Sequence, residues 1–133
     1  MPARDFLDTN VLIYAVGKNN PRASKAEALL ASGGIVSVQS LNEFVAVARR
    51  KLNMSWTEVK EFLDLICILC PNPVPISLDI HREALAIAEK YGYSIYDALI
   101  ASAALEARCT TLYSEDLQDG QIINRQLTIR NPF

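Results

Sequence analysis

The sequence predicts an α/β fold, a three-layer α/β/α sandwich around a central, mainly parallel sheet. Two observations carry that prediction. Several short runs have the composition of buried strands, and amphipathic or apolar helical patterns separate them throughout, as crossover connections between parallel strands require.

In chain order, Arg4 to Asp8 (RDFLD) reads as a short buried strand, and VLIYAV after Thr9 and Asn10 as the opening turns of a helix. Pro21 begins a second helical stretch, PRASKAEALLAS, with Ala26, Leu29 and Leu30 on one side and Gly33-Gly34 as its stop. The run IVSV from Ile35 is β-branched and fits a second buried strand. A helix from about Leu41 to Leu52 and another from Trp56 through the Cys67 region follow. Asn72, Pro73 and Pro75 break that pattern, leaving the residues around Val74 and Ile76 for a third strand. From Leu78 to Tyr91, Ile80, Ala84, Ile87, Ala88 and Tyr91 recur at helical spacing, with Asp79 in the first turn and Gly92 at the end. Ser94 starts the alanine-rich helix IYDALIASAALEA, apolar enough to lie buried against the sheet. TTLYS is the fourth strand and LTIR the fifth.

The 133 residues are enough for one core of ordinary size, so residues 1–133 are expected to form a single domain. Half the residues are hydrophobic and mean hydropathy is +0.13, which leaves apolar side chains over for a partner surface and favours an oligomer or a bound protein. Charged residues interrupt every stretch approaching the roughly 20 apolar residues of a membrane span. Asp5 and Asp8 also spoil any signal-like layout at the N-terminus, so a cytoplasmic location is expected. The three cysteines, Cys67, Cys70 and Cys109, are too few and too isolated for a disulfide framework or a zinc site, and Cys67 and Cys70 are expected in the core. A net charge of −2 provides no global basic field, so any nucleic acid must be held locally.

In a parallel α/β sheet, ligands bind outside the carboxyl ends of the strands. Four acids fall at such positions: Asp8 ends strand one, Glu43 opens the helix after strand two, Asp97 opens the alanine-rich helix, and Asp116 follows strand four. A convergent set of carboxylates normally holds a hard cation such as Mg²⁺ or Mn²⁺. Such a cation can activate water and neutralise charge on a phosphodiester. Two of the acids have a structural alternative, because Ser40-Leu41-Asn42-Glu43 and Ser94-Ile95-Tyr96-Asp97 both read as helix capping boxes. Asp8 resists that reading, since an unpaired charge at the end of a buried strand is expensive. Spacing leaves open which of Glu115, Asp116 and Asp119 points inward.

Other chemistries lack their residues. His81 is the only histidine and lies among charged neighbours on an amphipathic helix, as a surface residue would. No phosphate-binding glycine motif is present. Arg49-Arg50-Lys51 closes a helix, where the dipole explains it, and is also placed to contact phosphates.

Taken together, FLDTNVLIYA, SLNEF, YSIYDALIASAA and TLYSEDLQDGQ resemble PIN-domain nucleases over nearly the whole chain, and among these the VapC-type toxins of toxin–antitoxin pairs. The resemblance implies a metal-dependent endoribonuclease that cleaves single-stranded segments of RNA, with Asp8, Glu43, Asp97 and Asp116 holding Mg²⁺ or Mn²⁺. It implies that Asn10 supports the first acid and that Ser114 is the supporting hydroxyl before the fourth, with Asp119 as an accessory ligand. It also implies a cognate antitoxin, whose C-terminal segment lies along an apolar groove and blocks the acids, and a toxin homodimer. The competing readings are a non-catalytic PIN-like adaptor for RNA or protein, whose acids serve as caps, and a receiver-type signalling domain. The strand after the alanine-rich helix lacks the lysine that the receiver would need.

Overall fold

A computed structural model describes residues 5–17 and 20–133; the part of the first predicted strand at Arg4 lies outside them. The elements are β1 (Asp5–Leu7), α1 (Thr9–Val16), α2 (Ala23–Ala31), α3 (Val38–Arg50), α4 (Trp56–Leu69), α5 (Leu78–Tyr91), α6 (Ile95–Glu106), β2 (Thr111–Tyr113), β3 (Ile122–Ile123) and β4 (Leu127–Arg130).

The sheet order is β1-β2-β4-β3, with β1, β2 and β4 mutually parallel and β3 antiparallel to β4. Alternation along the strands sends successive side chains to opposite faces. Phe6 and Leu112 join the core under α5 and α6, whereas Leu7 and Tyr113 join the core under α1 to α4. Two cores on two sides of one sheet are the three predicted layers. Among the described residues no helix is long and apolar enough to cross a membrane.

Helix boundaries follow local chemistry. Ser37, Ser55, Ser77 and Ser94 each accept a backbone N–H three residues on and so cap α3, α4, α5 and α6. Gly92, at φ 75°, closes α5 in the left-handed conformation that an unbranched backbone adopts without strain.

The structure differs from expectation in four places. The second and third strands contract to single bridges, Phe6 with Ile35 and Ser37 with Val74, because Val38 is drawn into α3 and the prolines flank Val74. Helix α3 therefore begins three residues before the expected Leu41. An unforeseen strand, β3, pairs with β4 through a turn in which Asn124 and Arg125 both have positive φ, as tight hairpins require. Cys70 and Cys109 are buried, but Cys67 is exposed on α4, whose outer side also shows Leu65 and Ile68.

Gly34 positions the start of the site. A Cβ there would stand 2.8 Å from Leu7 Cγ and 3.2 Å from the Asp5 carbonyl, so only glycine lets the chain run against β1. Ile35 N then donates to Asp5 O at 2.8 Å and Leu7 N to Ile35 O at 2.9 Å, bringing the α3 cap to the same edge as the end of β1.

Candidate active site

Sheet register brings the first two members together. Phe6 pairs with Leu112 and Leu7 with Tyr113, so the next residues, Asp8 and Ser114, leave their strands side by side. Asp8 N donates to Tyr113 O at 3.0 Å and Ser114 N to Arg130 O at 3.0 Å. The Ser114 hydroxyl then donates to Asp8 Oδ2 at 2.8 Å, while Oδ1 accepts from Thr9 N at 2.6 Å. Ser114 Oγ also accepts from the backbone of Asp116 and Leu117, which folds the turn after β2 back over the strand ends.

Asp8 is only 4% exposed and stands at the N-cap of α1. Burial pushes its pKa up to about 7; the Ser114 and Thr9 hydrogen bonds pull the other way, and the charges of Glu43 and Asp116 add to the rise. Glu43 is half-buried and likewise raised, first by burial and then by Asp97 and Asp116, against the Gln39 and Thr9 donors. Asp97 is raised by burial and by Asp116, with the Ser94 hydroxyl opposing. Asp116 thus acts on all three of the others, Asp97 on Glu43 and Glu43 on Asp8, so the four acids are linked by mutual repulsion.

The capping alternative separates the two helix acids. Glu43 is no cap: the box of α3 is formed by Ser37 with Ser40, and Glu43 lies in the second turn. It does not open the helix as the sequence suggested. Its carboxylate accepts from Gln39 Nε2 at 3.0 Å and Thr9 Oγ1 at 3.4 Å. Asp97 sits in the first turn of α6, its backbone N–H donating to the Ser94 cap. Asp116 is exposed on its turn and accepts from Asn10 Nδ2 at 3.2 Å. Asp119 accepts from Asn131 N at 2.8 Å, and Glu115 pairs with Arg22 at 2.9 Å. Thr9 and Gln39 are contributors that sequence reasoning missed. Their signals were adjacency to the first acid and the four-residue spacing of Gln39 from Glu43 on one helix.

The donor set is all oxygen. Besides the carboxylates it includes Asn10 Oδ1, buried and without a hydrogen-bond partner. That chemistry fits a hard divalent cation. Among the described residues no three Asp, Glu, His or Cys side chains stand close enough together to share an ion.

Beside the acids runs a cleft of about 400 Å³ that Thr9, Asn10, Glu43 and Asp116 share with Arg50 and Lys51. The basic triplet divides its labour. Arg49 turns away, donating to Met54 O at 2.8 Å and lying 4.5 Å from the Trp56 ring centre, while Arg50 and Lys51 reach the cleft.

The model of the PIN domain family matches residues 6–118. No curated protein matches the sequence. Among solved structures, a chain of a toxin–antitoxin complex from Klebsiella pneumoniae is similar at a TM-score of 0.72 and 20% identity, over 97% of this chain and 98% of that one. VapBC2 from Rickettsia felis, bound to a DNA fragment from its promoter, is similar at 0.67 and 21%, over 96% and 98%. VapC20 from Mycobacterium tuberculosis, a sarcin-ricin loop cleaving toxin, is similar at 0.65 and 18%, over 84% and 89%.

Proposed function

The chain belongs to the PIN domain family, and from that premise we propose that it is a metal-dependent endoribonuclease cleaving single-stranded segments of RNA, the toxin of a toxin–antitoxin pair. The observation that carries this reading is that Asp8, Glu43, Asp97 and Asp116, carried by four separate parts of the chain, act on one another's charge, with the buried Asp8 carboxyl pushed up to about 7. Such a cluster is unfavourable without a cation, and function is the physical reason to keep it.

In this reading the four acids hold Mg²⁺ or Mn²⁺. When bound, the ion supplies charge neutralisation at a phosphodiester and lowers the pKa of water. The protein's own residues do the positioning. Ser114 and Thr9 fix both oxygens of Asp8, Gln39 and Thr9 orient Glu43, and Asn10 holds Asp116. Arg50 and Lys51 offer phosphate contacts along the cleft.

The solved relatives named for toxin–antitoxin assemblies favour an antitoxin partner here as well. Exposed apolar residues such as Trp56, Ile68 and Leu78 are available to a partner or to a second copy in a homodimer. We read residues 1–133 as one such domain acting in the cytoplasm.

Cleavage of a single-stranded RNA with Mn²⁺, with chelator, and with Asp8→Asn and Asp97→Asn tests the activity. Cleavage is expected to need the ion and to vanish in both folded variants; full activity in chelator would overturn the reading. Growth arrest on expression, relieved by the product of the adjacent small gene, tests the toxin role.

A further inference from the structure

Glu115 sits between two residues of the site, Ser114 bonded to Asp8 and Asp116 bonded to Asn10, yet its own carboxylate is taken up by Tyr14 and Arg22. Tyr14 Oη donates to Glu115 Oε2, and Arg22 Nε pairs with Glu115 Oε1 at 2.9 Å. The members also hold one another. The Arg22 guanidinium lies 5.3 Å from the Tyr14 ring centre, and the Phe133 ring meets Tyr14 edge-on at 5.0 Å. Asn10 and Tyr14 are four residues apart on α1 and so share one face of the helix. That face grips successive residues of the turn, Asn10 taking Asp116 and Tyr14 taking Glu115.

Asp116 needs such a grip. It is exposed, and three other carboxylates repel it, so an unrestrained turn would release it to solvent. Arg22 also cancels the charge that Glu115 would otherwise add beside Asp116. We propose that Glu115 is a positioning residue: clamped by Tyr14 and Arg22, it fixes the turn at residues 114–117 so that Asp116 stays with Asp8, Glu43 and Asp97. The functional part rests on the reading of those acids as a divalent-metal nuclease site.

An ordinary exposed ion pair predicts little effect on anything. The clamp predicts a specific one. Titration of the whole protein with Mn²⁺ should show affinity falling about tenfold or more in Glu115→Ala, the size of effect seen when ligand-orienting groups are removed. In cleavage of a single-stranded RNA, kcat falls and KM stays near the wild-type value. The melting temperature changes little, and Glu115→Gln, which keeps an acceptor for Tyr14 and Arg22, recovers most of the loss. Amide hydrogen exchange over residues 114–117 reads the clamp with no metal at all and should quicken in Glu115→Ala while α5 and α6 stay as in wild type. Unchanged exchange, or wild-type Mn²⁺ affinity and kcat in Glu115→Ala, overturns the proposal. If the wild-type protein itself binds no Mn²⁺, the four-acid reading and the functional role built on it fall together, and exchange still decides whether the clamp exists.

Discussion

Asp8 concentrates the tension of the molecule in one side chain. Its carboxyl group titrates near pH 7 because burial disfavours the charged form more than its two hydrogen bonds favour it. In the unfolded chain an aspartate titrates at about 3.9. Between those values the native state holds the proton and the unfolded state does not, so native stability falls as pH rises from about 4 to about 7. The slope approaches roughly 1.4 kcal/mol per pH unit in the middle of that window. Metal-free protein should therefore unfold at lower denaturant concentration at pH 8 than at pH 5. Asp8→Asn should flatten the dependence and be the more stable protein at pH 8. A wild-type profile without this fall would place the native titration of Asp8 near its unfolded value. Since a bound cation must displace the same proton, Mn²⁺ should raise the melting temperature more at pH 8 than at pH 5.

At the scale of elements, the parts legible in the sequence were those whose signals are local. Helix α5 runs from Leu78 to Tyr91 as its apolar spacing foretold, because Ser77 and Gly92 specify its ends within a few residues. The second and third strands were misjudged in length because pairing, not composition, decides where a strand stops. The same limit applies to the site. Asp8 was legible from its place at the end of a buried strand. The partners that these acids take, Asp116 with Asn10, Glu115 with Tyr14 and Arg22, and Asp119 with Asn131, lie far away in sequence or beyond the motif. Glu43 entered the second turn of α3 because Ser37, not Ser40, caps the helix. The link between elements is most exposed to test at Gly34. Adding a methyl group there forces Leu7 and the Asp5 carbonyl apart in a packed region, so Gly34→Ala should destabilise by about 1–3 kcal/mol. Urea unfolding with an unchanged m value checks this; wild-type stability would mean that β1 yields without strain.

For the whole molecule, the net charge of −2 sets how a polyanion can be held. A net charge of this sign gives no long-range attraction, and the acids themselves repel phosphate, so the RNA binding proposed above would have to come from the few cations placed where the chain of phosphates passes. Arg49 is committed to Met54 and Trp56, which leaves Arg50 and Lys51 as the basic lining of the cleft beside the acids. Each phosphate neutralised on a single strand contributes about −0.7 to the slope of log K against log salt. Two contacts therefore predict a slope of about −1.4 for a short single-stranded RNA bound to the Asp8→Asn protein, which removes cleavage from the measurement. Arg50→Gln and Lys51→Gln should each remove about half of that slope and weaken binding alike across unrelated sequences, because phosphate contacts carry no base information. A slope several times steeper, surviving both substitutions, would locate the RNA on a different and broader basic surface. On the proposed ribonuclease reading, sequence preference then arises in the shape of the cleft and the bases it admits, so the two substitutions should alter affinity without altering which RNA is cut.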